Sequence, residues 1–211
     1  LLDGAMGSTL QSIDLDIETD YLGHENCVDL LVRSRPKLVE DIHAGFLAAG
    51  SDMVETNTFG ANPLVLSEFS DDLMPWTREL NREAAEVARA ACERHHTSEW
   101  PRFVLGSMGP GTKLLTLGQT SWQTMLESYT EQARGLIDGG VDAFFIETCQ
   151  DLLQVKCATN ACLKALHEAG KSTDDIPIMV SITIETTGTM LLGAEIGAAV
   201  TALKPYPIAS L

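Results

Sequence analysis

Positive charge is scarce in this sequence. Its 14 Lys and Arg stand against 30 Asp and Glu, leaving a formal net charge of −16 and a pI near 4.5. Such a chain offers no electrostatic footprint for phosphate backbones or anionic lipid, which argues against nucleic-acid and membrane-surface roles. A small soluble ligand suits it better. No apolar run reaches the roughly 18 residues of a membrane span, and no charged, apolar, small-residue leader opens the chain, so it reads as cytoplasmic. A disulfide framework is missing too: Cys27, Cys92, Cys149, Cys157 and Cys162 are odd in number and form no CxxC pair, a pattern of reduced thiols. Neither GxxxxGK[ST] nor GxGxxG occurs, and no histidine pair has HExxH spacing, which leaves the common nucleotide and zinc-protease fingerprints without a candidate.

What the sequence does contain is a repeated phrase. Gly50-Ser51-Asp52-Met53-Val54-Glu55-Thr56 returns as Gly140-Val141-Asp142-Ala143-Phe144-Phe145-Ile146-Glu147-Thr148, and Ile184-Glu185-Thr186 closes a third apolar run, Ile178 to Ile182. Each copy reads as a short apolar strand with a carboxylate and a hydroxyl where it stops, the first two after a helix-ending glycine. Strands starting at about positions 1, 53, 103, 143, 178 and 208 make six, each of the first five followed by a helix. A closed (β/α)8 barrel has eight such units and typically about 250 residues, so the expected fold is an α/β TIM barrel that is incomplete, with about six strands and the C-terminal two missing. An open doubly wound sheet is the alternative. The barrel is preferred because the acidic residue recurs at several strand ends instead of one switch point. At 211 residues and 45% hydrophobic content, residues 1–211 are expected to form one domain with a sizeable core. The first residues, Leu1-Leu2, already read as strand, so both ends of the sequence look abrupt.

Between the strands, Asp3-Gly4-Ala5-Met6-Gly7-Ser8 reads as a glycine-rich turn that lets the backbone approach a ligand. A helix starts at Ser34, with Pro36 just after it, and ends at Gly50. Helices over about Thr77 to His95, Trp122 to Asp138, Asp151 to Ala169 and Ala194 to Leu203 follow, the first two with clear apolar faces. Gly106 to Ser121 reads as a long mouth loop with Lys113 as its one cation. His24, His43, His95, His96 and His167 are expected to be solvated or helix-capping. Trp76, Trp100 and Trp122 are expected to pack beside helices, and Asp71-Asp72 and Asp174-Asp175 to be solvated loop charge. Cys92 and Cys162 fall in alanine-rich helical patterns and read as small core hydrophobes.

Several stretches together carry a family resemblance: Asp3-Gly4-Ala5-Met6-Gly7, Asp29-Leu30-Leu31, Ser34-Arg35-Pro36, Glu55-Thr56-Asn57-Thr58-Phe59, Gly109-Pro110-Gly111-Thr112-Lys113, Ile146-Glu147-Thr148-Cys149-Gln150-Asp151 and Glu185-Thr186-Thr187-Gly188-Thr189-Met190. In this order they resemble the homocysteine S-methyltransferase family, most of all the N-terminal homocysteine-binding barrel of its cobalamin-dependent, methionine-synthase-type branch. The resemblance implies a methyltransferase that binds homocysteine at the C-terminal mouth of the barrel and activates its sulfur with zinc to form methionine. Methylcobalamin would be the methyl donor, carried with folate chemistry on other domains of the parent protein. A free thiol has a pKa of about 8.5, and metal coordination removes its proton outright.

Residue by residue, the resemblance assigns Asp3 and Glu147 to the substrate amino group and Gly4 to the adjacent turn, where a backbone amide can reach the substrate carboxylate. Glu55, Asn57, Thr58, Ser107 and Glu185 also sit near strand ends and are further candidates. For Glu55 and Glu185, fixing neighbouring loop amides or barrel side chains is an equal alternative. In the family the zinc cysteines belong to a Gly-x-Asn-Cys segment after strand six and a Cys-Cys pair after strand eight. Neither motif is present in this chain, so no catalytic and no metal residue is assigned, Cys149 is read as lining or packing, and this stretch alone is not expected to transfer methyl groups. Two rival functions remain: a different barrel enzyme using Glu55, Glu147 and Glu185 for acid/base or Mg2+ chemistry, and a non-catalytic ligand-binding module.

Overall fold

A computed structural model describes all of residues 1–211. Four parallel strands, β1 (Met53–Glu55), β2 (Phe103–Met108), β3 (Ala143–Cys149) and β4 (Ile178–Ile182), pair in the order β1-β2-β3-β4. At one side Leu2 bridges in parallel to Met53, and at the other Ser210 bridges in parallel to Met179. Six positions therefore follow one another in chain order with no reversal. A doubly wound sheet reverses its strand order at a switch point, whereas a barrel adds each unit beside the last. The sequential order decides for the incomplete barrel.

The expected six regular strands are reduced to four strands and two single bridges. At the first, the Leu1 carbonyl accepts both the Asp52 and Met53 amides, after which the chain turns into a helix. At the last, Ala209 donates to Ile178 and Ser210 accepts from Val180. Pro205 and Pro207 just before them bring no amide to a ladder.

Eight helices complete the chain: α1 (Met6–Gln11), α2 (Leu31–Ser34), α3 (Pro36–Ala49), α4 (Pro63–Phe69), α5 (Thr77–His95), α6 (Trp122–Asp138), α7 (Leu152–Glu168) and α8 (Ile196–Leu203). Local chemistry explains their limits. α3 opens on Pro36 and closes on Gly50, whose φ of +115° lies in the left-handed region that glycine enters at no steric cost. Arg35 precedes its first turn, while Ser34, expected to start this helix, ends α2 and donates its hydroxyl to the Asp20 carbonyl at 2.5 Å. The Ser121 hydroxyl accepts the Thr124 amide at the start of α6, and the Asp151 carboxylate accepts the Leu153 amide at the start of α7. α1 begins inside the stretch read as a glycine-rich turn, and α4 forms between β1 and α5 where no helix was expected. For α4 the missed signal is Asn62 as N-cap followed by Pro63 at the first helical position.

β2 runs three residues beyond its expected end and takes in Gly106 and Ser107, which shortens the mouth loop. A glycine belongs at 106 because a Cβ there would come within 2.8 Å of Leu136 Cδ1 on α6. The core beneath joins Val104, Met108, Phe144 and Ile146 to the inner faces of α5, α6 and α7, with Tyr129, Ala133, Leu136 and Cys162 among them. A second cluster, including Leu10, Leu30, Val39 and Leu80, packs under the N-terminal segment.

His43 contradicts its expected solvation. It shares the buried face of α3 with Val39, Ile42 and Leu47, is 0% exposed, and neither ring nitrogen has a partner. Its place on the i, i+3, i+4 stripe is the signal that was passed over. Burial pushes its pKa from 6.5 down to about 4. Trp76 and Trp100 lie against the Arg33 and Arg102 guanidinium groups, at 4.7 and 3.6 Å from the ring centroids. No helix is long and apolar enough to cross a membrane.

Candidate functional site

Because successive parallel units end side by side, the residues that stop them meet at one mouth. Asp3 follows the Leu2 bridge, Glu55 ends β1, Ser107 stands near the end of β2 and Glu147 near the end of β3. All four line a cavity of about 440 Å³, together with Gly4, Asn57 and the apolar contacts Ala5, Met6, Val28 and Phe59. Three carboxyl groups thus share one space.

Their hydrogen bonds are uneven. Both oxygens of Asp3 accept the Glu55 amide, at 3.2 and 3.1 Å. Glu147 accepts the Ser107 hydroxyl on Oε1 at 2.5 Å and the Thr148 hydroxyl on Oε2 at 3.3 Å. Burial pushes the Asp3 pKa from 3.8 up to about 7, with a further push from Glu147 that the Glu55 amide opposes. Glu55 is driven well above the ordinary carboxyl range, first by burial and then by repulsion from Glu147 and Asp3. No cation enters the balance at either residue. Carboxylates crowded in a partly dry cavity resist ionising together. A cationic guest relieves that repulsion. Lys113, the one cation of the mouth loop, is drawn aside to Glu68 at 3.0 Å.

Six of the sequence-selected residues, Asp3, Gly4, Glu55, Asn57, Ser107 and Glu147, come together here. Thr58 does not. It is fully buried behind the cavity, its hydroxyl 2.8 Å from the Ser107 carbonyl and 2.6 Å from the Thr56 hydroxyl. Glu185 also stands apart, in the turn after β4, where its amide donates to Thr189. Glu55, Glu147 and Glu185 therefore do not assemble into one acid/base or Mg2+ site.

Residues to which the sequence reading gave no site role, together with the candidate Asn57, hold the mouth in shape. Gln132 on α6 is 0% exposed and donates from Nε2 to the Thr58 carbonyl at 2.7 Å and to the Ser107 carbonyl at 3.3 Å. It ties the loop after β1 to the end of β2. The clue in the sequence was a polar residue on the apolar stripe of Met125, Tyr129 and Leu136. Asp29, buried, accepts the Gly60 amide at 3.0 Å, and Asn57 donates to the Val28 carbonyl at 2.8 Å. Burial raises the Asp29 pKa to about 6. Asp151, besides capping α7, accepts the Thr116 amide and hydroxyl at 2.8 and 2.7 Å and so anchors the mouth loop.

The thiol-activating zinc that the resemblance implies finds no fit among these residues. No group of three His, Cys, Asp or Glu side chains is placed to hold a metal ion. All five cysteines are free and buried. Burial raises the thiols of Cys27, Cys149 and Cys157 to about 12 and that of Cys92 to about 11, the reverse of what a zinc thiolate requires. Cys149 is packed in the core and lines no part of the cavity.

Parallel units laid down in chain order, each delivering a side chain to a common mouth, define a protein of the (β/α)8-barrel class, present here in part. Solved structures agree on the fold. The homocysteine methyltransferase MmuM from Escherichia coli matches with a TM-score of 0.76 at 19% identity in its oxidised form, over 98% of this chain and 69% of that one. Its metallated form matches with a TM-score of 0.75 at 20% identity, over 98% and 71%. The methionine synthases of Mycobacterium leprae and Mycobacterium tuberculosis are each 47% identical over 206 residues, 98% of this chain and 17% of theirs. The chain thus spans about a sixth of the length of these relatives. A family model described as homocysteine S-methyltransferase matches residues 1–211. The chain belongs to the homocysteine S-methyltransferase family.

Proposed function

We propose that residues 1–211 form one domain, the homocysteine-binding barrel of a methionine-synthase-type methyltransferase, and that its mouth grips the amino-acid end of homocysteine. The observation that carries this reading is the meeting of Asp3, Glu55 and Glu147 in one cavity with no cation among them. An ammonium group supplies the missing positive charge, and charge-assisted hydrogen bonds to Asp3 and Glu147 orient it. The backbone at Gly4, on the same wall, offers an amide to the substrate carboxylate. Ala5, Met6, Val28 and Phe59 give the aliphatic part an apolar lining.

The chain's own groups bind and orient, and none of them serves as acid, base or metal ligand for the transfer. Zinc would activate the bound thiol, held by side chains beyond these 211 residues. Methylcobalamin on another domain would provide the methyl group, with a folate domain alongside, and the assembly would work in the cytoplasm. The 47% identity to methionine synthases supports this branch of the family over others.

Calorimetry tests the binding step directly. L-homocysteine titrated into the chain at pH 7.5 should bind, and N-acetyl-homocysteine, which lacks the ammonium, should not. Equal binding of the two, or no binding of homocysteine, would defeat the proposal.

A further inference from the structure

Thr148, next to Glu147, has a left-handed backbone with φ +57°. That region crowds Cβ against the following carbonyl, and for a β-branched residue it is a genuine outlier. Thr148 is also the extra residue of β3. The pairing with β4 steps from Ile146 opposite Val180 to Cys149 opposite Ile182, three steps on one strand against two on the other. Burial follows the same phase change: Phe144 and Ile146 are buried, and the next buried position is Cys149, while Thr148 is exposed. A bulge of this kind re-aims a side chain.

The strain is not explained by packing, since the Thr148 side chain is exposed to solvent. Glycine is the residue that a left-handed bulge position favours. What threonine adds is a Cβ that stiffens the backbone and a hydroxyl 3.3 Å from Glu147 Oε2, on the side opposite the Ser107 hydroxyl at Oε1. Strained backbone of this kind clusters where function over-determines the structure.

We infer that Thr148 is a positioning residue for Glu147: its strained backbone and its hydroxyl hold the Glu147 carboxylate turned into the cavity, at the expense of the stability of the fold. The inference rests on the proposed homocysteine site for its ligand, but not for its geometry. A residue that only supports the fold gives losses of stability and binding that run in parallel. A positioning residue in a strained conformation separates them.

Three variants of the 211-residue chain test this. Thr148→Gly should melt at or above the wild-type temperature, yet bind L-homocysteine about fivefold or more weakly, the loss of one hydrogen bond to a charged group together with a freed backbone. Thr148→Val, which keeps the branched Cβ and loses the hydroxyl, should fall between. Glu147→Gln assigns the Glu147 side-chain carboxyl resonance in 13C NMR, whose titration in the unliganded chain should differ between wild type and Thr148→Gly. Parallel loss of melting temperature and affinity in Thr148→Gly, or an unaltered Glu147 titration, overturns the inference. Should wild type fail to bind homocysteine at all, the proposed function falls, and the carboxyl titration alone decides the role of Thr148.

Discussion

The Glu-Thr pair at the end of β1 and its twin near the end of β3 share a sequence and little else. At β1 the threonine is stitched inward: Thr56 is buried, its amide donates to the Leu105 carbonyl at 2.8 Å, and its hydroxyl accepts the Ser107 amide at 3.0 Å. At β3 the threonine turns outward, left-handed and exposed, with its hydroxyl on the neighbouring glutamate. The third copy, Glu185-Thr186, falls in a turn after β4 has ended and reaches no mouth contact. Such a phrase marks where a strand stops. How its hydroxyl is used depends on the adjacent strand: Ser107 of β2 stands ready to bond Thr56, whereas the one-residue slip against β4 throws Thr148 into solvent.

The comparison breaks most readily at the glutamates. Glu147→Ala should weaken L-homocysteine binding about 10- to 100-fold by calorimetry, the range for a lost charge-assisted hydrogen bond. Glu55→Gln should cost much less, because burial and the neighbouring acids already disfavour the charged form of Glu55. Equal losses would mean that the two copies are interchangeable in binding.

A smaller effect separates the threonines. Thr56→Val leaves the buried Ser107 amide without its acceptor and should destabilise the chain by about 1–3 kcal/mol in urea unfolding. Thr148→Val changes an exposed residue and should stay within about 0.5 kcal/mol. A Thr148 variant as damaging as the Thr56 one would show that both hydroxyls are structural.

Acid and base distinguish the mouth from the helix behind it. Asp3 has its folded pKa raised from 3.8 to about 7, so its contribution to stability is complete below about pH 4 and is lost as pH climbs toward 7. His43 has its folded pKa lowered from 6.5 to about 4, so its contribution is complete above about pH 6.5 and is lost as pH falls toward 4. Between about pH 4 and 6.5 the two slopes oppose one another, so relative to wild type the melting temperature should rise more steeply with pH in Asp3→Asn and fall more steeply with pH in His43→Leu. A slope unchanged by either substitution would remove that group from the balance.

Much of this architecture was legible because periodicity and caps agreed. The spans of α5 and α6 match the sequence reading, each with a strong apolar stripe, and β4 coincides with its unbroken run Ile178 to Ile182. Strand ends were less legible, since pairing with a neighbour carried β2 through Gly106 to Met108 and β3 through the bulge to Cys149. In the cavity, the acids could be read from their place after apolar runs. Thr58 and Glu185 were placed there by the same logic and lie elsewhere, because position after a strand does not fix the direction of a side chain. The roles of Asp29, Asp151 and Gln132 escaped notice since their partners Gly60, Thr116 and Thr58 are 31, 35 and 74 residues away.

All five thiols are enclosed, and burial holds each of them in the protonated form. Exchange with a disulfide requires an accessible thiolate. With a proposed guest that is itself a thiol, and that in air readily becomes homocystine, these residues present no accessible thiolate on which exchange could leave homocysteine as a mixed disulfide.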